Sequence, residues 1–274
     1  MVFDLIIRNG TVIDGTGSAG FSADVAIKGD SIVTVGEVAE NAEAAREVDA
    51  AGKVVTPGFI DLHTHSDNSF LVDPLADSKL TQGVTFELMG NCGMSYCAPL
   101  NEQTIDEFKS RTDKFDPEYQ PGWSTMDGYL SALEENGSTI NIAAQVGHGT
   151  VRRTVMGMEP RMPTPEEIDQ MQGIFADSLD EGALGMSTGL WYAPGSYSLA
   201  DEIIALTQPA ADRGKLYSSH IRSEADDLGG LFPAHAEAIE IGRRTGARIQ
   251  ISHVKSVGPK FWGRGHELIE GMEK

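Results

Sequence analysis

Cysteine is scarce. Only Cys92 and Cys97 occur in 274 residues, too few for a disulfide framework, so disulfide stapling is excluded as the source of stability. Positive charge is scarce as well: 21 Lys and Arg stand against 41 Asp and Glu, a formal net charge of −20. That balance argues against nucleic acid and anionic membrane as partners, because both carry the same sign of charge. Long apolar runs are missing, so nothing in the chain reads as a membrane span. The opening MVFDLIIRNG flanks a very short apolar run with Asp4 and Arg8, which is no signal peptide. There is no low-complexity tract. A cytoplasmic protein is the expectation. What is present, 40% hydrophobic and 7% aromatic residues, suits one large folded domain, or one plus a small one.

The first 57 residues read as all-β. LIIRNGTVID carries Asn9-Gly10 between apolar runs, and DVAIKGDSIVTVG alternates around Gly29-Asp30; both are hairpin signals. Pro57-Gly58 marks a boundary, giving a small domain over 1–57 and a second over 58–274. The second follows a strand–helix rhythm. GFIDLHTH, VTFELMGN, INIAAQVGHG, ALGMSTGL, KLYSSHI and ARIQISHV are short and apolar, and alternating βα units imply parallel strands covered on both faces. STMD at Ser124 to Asp127 is a capping-box pattern for a helix stopping near Gly137. TPEE places Thr164 at the N-cap, Pro165 at N1 and Glu167 at N3, with Gly182 as the stop. SLAD at Ser198 opens a third helix ending at Gly214, with a kink expected at Pro209. A fourth, in AHAEAIEIGRRTG, closes at Gly246. The fold class is α/β, a TIM-like (β/α) barrel with six strands countable.

In such a barrel chemistry sits at the C-terminal ends of the strands. Five of the seven histidines fall there: His63, His65, His148, His220 and His253. In GFIDLHTHSD two histidines stand two apart, the spacing at which side chains share one face of a strand. Phe59, Asp61, His63 and His65 would then point one way. Two imidazoles on one face make half of a metal site, with hydrogen-bonded structural histidines as the bland alternative. The same choice holds for His220 in KLYSSHIRSE and His253 in ARIQISHVK. Cys92, between Gly90 and Gly93, is either inert packing or, beside four histidines, a thiolate ligand. Cys97 reads as structural. His148, flanked by glycines, either touches substrate or metal or is structural. Asp61 and Asp67 either orient ligand histidines or serve as caps and solvated groups. His235 and His266 read as surface residues.

With HTH, GNCG, SHIRSE and ISHVK assembled, the chain resembles the amidohydrolase superfamily, and within it the D-aminoacylase (N-acyl-D-amino-acid deacylase) group. The likeness also covers LIIRNGTVIDGTG, VGHGTVR and GALGMSTGLWYAPG. HTH alone indicates only the superfamily; GNCG with the two later motifs is more specific. The resemblance implies a small N-terminal β-sandwich joined to the barrel. It implies a tightly held zinc on Cys92, His220 and His253, with His63 and His65 at a second, weaker position. It implies hydrolysis of a small-molecule N-acyl-D-amino acid by metal-activated water. Tyr192 and Lys255 match positions that contact substrate in the group. Lys255 would pair with the substrate carboxylate; Arg222 would do the same or hold Glu224. Relatives that open cyclic amides bridge two metals with a carboxylated lysine, and ALGMSTGL offers none. The group also uses an aspartate at the end of strand eight as general acid/base. With strands countable only to six, the expectation is a barrel truncated after strand six, lacking that aspartate and showing little activity alone. The alternatives are an amidohydrolase of cyclic amides or D-dipeptides, and a non-catalytic metal-binding fragment.

Overall fold

Period-two alternation builds the first of two compact units, Met1–Phe59; the second is Ile60–Lys274. The computed structural model describes residues 2–97, 102–112 and 121–273. The first unit is one five-stranded sheet, with β1 (Phe3–Val12), β2 (Phe21–Lys28), β3 (Ser31–Gly36) and β4 (Ala44–Asp49) in the order β3-β2-β1-β4. Strand β5 (Val54–Val55) also pairs with β1. Ile6, Ala26 and Val38 form its small core. The Gly29-Asp30 hairpin is there: β2 and β3 run antiparallel across it, with Gly29 at φ 60°.

The Asn9-Gly10 hairpin is not. Strand β1 continues through both residues, and its register against β2 shifts between Ile7 and Gly10. The dipeptide makes a β-bulge, an extra residue in one strand rather than a turn. Asn9 sits at φ 62°, its N–H donating to Asp24 and its side-chain amide to Asp49. Gly10 lies so close to Val55 that an added Cβ would come within 2.5 Å of Cγ2. Long-range partners decide what the dipeptide does, and they are invisible at the local level.

The second sheet has six strands in sequential order: β6 (Phe59–Asp61), β7 (Val84–Met89), β8 (Asn141–Gly147), β9 (Gly185–Gly189), β10 (Leu216–His220) and β11 (Arg248–Ile251). From β7 to β11 each neighbour pair is parallel, and the sheet curls as half of a barrel does. Helices return the chain between strands: α1 (Ser69–Val72), α2 (Asp77–Leu80), α3 (Glu102–Thr112), α4 (Met126–Asn136), α5 (His148–Met156), α6 (Pro165–Asp180), α7 (Ala200–Asp212) and α8 (Leu231–Thr245), with α9 (Gly265–Glu273) after β11. Met89, Val146, Met186 and Tyr217 from the strands pack with Phe175, Leu206 and Ile241 from the helices. The class is α/β. Among the described residues no helix is long and apolar enough to cross a membrane.

Helix signals held with local shifts. Helix α6 (Pro165–Asp180) carries the full capping box between Thr164 and Glu167. Helix α8 (Leu231–Thr245) ends on Gly246 in the left-handed conformation, as a C-terminal glycine should. Helix α4 (Met126–Asn136) is capped by Thr125 rather than Ser124, and Glu181 takes the N–H groups of Met126 and Asp127 from across the fold. Helix α7 (Ala200–Asp212) starts without a side-chain cap and runs on through Pro209. Ser198, expected to cap it, instead donates to the Glu202 carboxylate.

Two placements differ from the sequence reading. Strand β6 stops at Asp61, so His63 and His65 lie in the irregular segment after it rather than on its face. His235 is not a surface residue: it is 3% exposed, on the inward stripe of α8 with Leu231, Ala234, Ala238 and Ile241. That stripe has helical period and was legible as such; His266 is exposed as expected.

Candidate metal centre

The turn after β7 aims a thiol. Gly90-Asn91-Cys92-Gly93 bends through left-handed backbone at Gly90, Cys92 and Gly93, with Cys92 at φ 56°. Neither flanking glycine admits a side chain: a Cβ on Gly90 would meet Gln145 O at 2.1 Å, and one on Gly93 would meet Gly189 N at 2.7 Å. Ser187 of β9 fixes the turn from the next strand but one, donating to Gly90 O and accepting from Gly93 N–H. Asn91 is held by Leu88 O and Gln145. The strained cysteine backbone is therefore over-determined by its surroundings, the usual condition for such a residue to persist.

Three imidazoles from three other segments converge on that thiol. Cys92 Sγ lies 3.3 Å from His63 Nε2, 3.5 Å from His220 Nδ1 and 3.8 Å from His253 Nε2. The His63 and His253 rings stand 4.8 Å apart, and those of His220 and His253 4.5 Å apart. A tetrahedral zinc with bonds of about 2.3 Å to sulfur and about 2.05 Å to nitrogen keeps such ligands about 3.6 Å apart. Donor atoms of His63, Cys92 and His253 lie within 4.8 Å of one another, as do those of His220, Glu224 and His253, and both trios suit such an ion in donor type. The outer nitrogen of His63 is buried without a hydrogen-bond partner, and that of His220 faces the Glu224 carboxylate at 3.9 Å.

Electrostatics agree with a cation site. Burial, followed by the neighbouring His253 charge, holds His63 down to about 4 and His220 to about 3. Burial also lowers His253 against the pull of Glu224. All three rings are neutral near pH 7, the form that binds a metal. Burial raises the Cys92 thiol, with Tyr192 opposing; a bound cation would deprotonate it.

Glu224, unassigned by the sequence reading beyond an ion pair with Arg222, is the carboxylate of this cluster. It is 2% exposed, 2.7 Å from His253 Nδ1, 3.9 Å from His220 Nε2 and 3.0 Å from Lys255 Nζ. A carboxylate behind a ligand imidazole fixes its tautomer and orientation. Its position in the SHIRSE motif, on the parity of His220, was the available signal.

The remaining candidates are placed as follows. His65 packs edge-on to His63, 5.3 Å between rings, and lines a cavity of about 80 Å³ with Asp67, Asn68, Met94 and Tyr96. Tyr192 donates to Cys92 O at 2.7 Å and stands edge-on to His220. Lys255 is exposed beside Glu224. Arg222 holds Glu237 with two nitrogens and the carbonyls of Ser196 and Ser198, not Glu224. His148 is fully buried in a separate network, 3.1 Å from Glu202, which also takes Arg152 and Ser198. Asp61 accepts the His63 backbone N–H and pairs with Lys79. Cys97 is buried with its thiol toward Gln145 O.

A family model for amidohydrolases matches residues 46–237. The chain belongs to the amidohydrolase family. An N-acyl-D-glutamate deacylase of Alcaligenes xylosoxydans xylosoxydans is 38% identical over 272 residues, 99% of this chain and 54% of the relative. The structure of an N-acyl-D-glutamate deacylase from Bordetella bronchiseptica, complexed with zinc and a phosphonate inhibitor, superposes with a TM-score of 0.86 at 36% identity. It is matched over 100% of this chain and 56% of its own. A D-aminoacylase with a binuclear metal centre, described as activated by one metal and attenuated by a second, gives 0.86 at 38% identity, over 99% and 56% of the two chains. This amidohydrolase thus resembles the D-aminoacylases, and it spans about half the length of the curated relatives it matches.

Proposed function

We propose that this chain forms the zinc-binding part of an N-acyl-D-amino-acid deacylase, which hydrolyses a small linear amide to a carboxylate and a free D-amino acid. The observation that carries the reading is Cys92 Sγ ringed by three histidine nitrogens at 3.3 to 3.8 Å. Cys92, His220 and His253 would hold the tighter ion, and His63 with His65 a second, weaker one. Zinc, when bound, supplies Lewis acidity that polarises an amide carbonyl and makes water a usable nucleophile near pH 7. The chain's own residues do the rest. Glu224 orients His253, Tyr192 steadies the Cys92 carbonyl, and Lys255 offers its ammonium to the substrate carboxylate. Arg222 and His148, spent on Glu237 and Glu202, shape the surroundings from a distance. The six strands belong to a (β/α)₈ barrel and the N-terminal sheet to a β-sandwich in this reading. Free cysteines suit a reducing cytoplasm.

Among the described residues the grouped donors include no aspartate, and their one carboxylate, Glu224, faces His253 and Lys255. With no aspartate in this cluster, the 274-residue chain should hold metal while turning over little substrate. The test is metal content of the purified chain beside Cys92→Ser, followed by assays with N-acetyl-D-amino acids, hydantoins and D-dipeptides. About one zinc per chain, lost on substitution, supports the reading. No metal in either form would sink it.

A further inference from the structure

Lys79 sits on α2 (Asp77–Leu80), a four-residue helix none of whose residues is buried. The helix adds nothing to the core, and Ala76 enters it through left-handed backbone, φ 49°. What it delivers inward is one ammonium. Lys79 Nζ lies 2.8 Å from Asp61 Oδ2, at the end of β6, and 3.0 Å from Glu87 Oε1, on β7. Glu87 is fully buried, and a buried carboxylate without its cation is strongly disfavoured. The other Asp61 oxygen accepts the backbone N–H of His63 at 3.2 Å. Cys92 stands in the turn that follows β7. The ammonium therefore ties together the two strand ends from which one half of the donor cluster departs.

We infer that Lys79 is a positioning residue for the metal centre, clasping Asp61 to Glu87 and thereby setting the separation of His63 from Cys92. The inference rests on the metal reading above. A lysine that merely anchored α2 would change stability and leave metal affinity alone; a clasp changes affinity in its own right.

Zinc competition against a chromophoric chelator, on the whole chain, decides between these. Lys79→Met weakens zinc about 10–100-fold, the range seen when groups supporting metal ligands are lost, and Lys79→Arg recovers most of it. Lys79→Met combined with Glu87→Gln removes the uncompensated buried charge, so the melting temperature of the metal-free chain returns while zinc binding stays weak. With cobalt in place of zinc, the thiolate charge-transfer band per bound ion changes in both Met variants. Parent-like zinc affinity in Lys79→Met, or recovery of affinity together with melting temperature in the double variant, overturns the clasp alone. A parent chain that takes up no zinc overturns the metal reading and the clasp with it.

Discussion

Cys92 shows how much a single residue asks of its neighbours. Its thiol reaches three imidazoles only because the backbone is held at φ 56° between two glycines whose own Cβ positions are filled by strand backbone. Ser187 closes the turn from the next strand but one. Glu224 plays the matching part for His253, and a substitution there separates orientation from ligation. Glu224→Gln keeps the shape and loses the charge facing His253 Nδ1, so zinc affinity should drop about tenfold, read by chelator competition. Affinity equal to the parent would remove Glu224 from the site.

Individual elements carry their own signals to different degrees. The TPEE box of α6 was readable because every partner lies within one turn: Thr164 accepts from Glu167 N–H, and Glu167 returns to the Thr164 N–H. Its loss should be equally local. Thr164→Ala is expected to cost about 1 kcal/mol in urea unfolding, with zinc stoichiometry unchanged. A loss of metal in that variant would show that α6 and the site are coupled. Helix α4 teaches the opposite. Its exposed N–H groups are met by Glu181 from a distant part of the chain, so the cap could shift from Ser124 to Thr125 without any local sign. Asn9-Gly10 reads as a turn by composition, and Asp24 and Asp49 make it a bulge.

Taken whole, the molecule is acidic on its surface yet keeps several ionisable groups in fixed states inside. Burial would raise Glu202, but the His148 hydrogen bond and the charges of His148 and Arg152 prevail and hold it below its ordinary value. Its contribution is present above about pH 4.5 and is lost as pH falls through the lowered folded value. His63 and His220, held at about 4 and about 3, act in the same direction in a higher window. As depressed bases they support the fold fully above about pH 6.5, and that support fades as pH drops towards their folded values. The chelator-treated chain should therefore melt at progressively lower temperature from pH 7 to pH 4. A melting temperature independent of pH across that span would contradict the buried, uncharged state of these histidines.

Local sequence was enough for the strand–helix rhythm, the count of six strands, the capping box of α6 and the Gly246 stop of α8. Each is written in short-range periodicity, in capping chemistry, or in motifs whose residue types leave little choice. Long-range packing chose which histidines face Cys92 and which do not. His148, flanked by glycines like a ligand, turns instead to Glu202; His235, read as a surface residue, is buried; Arg222 chooses Glu237 over Glu224. Side chains on one face of a strand or helix share a direction by geometry, but the groups they meet are brought by other segments. A charged or aromatic group is settled by whichever partner the packed sheet sets within reach.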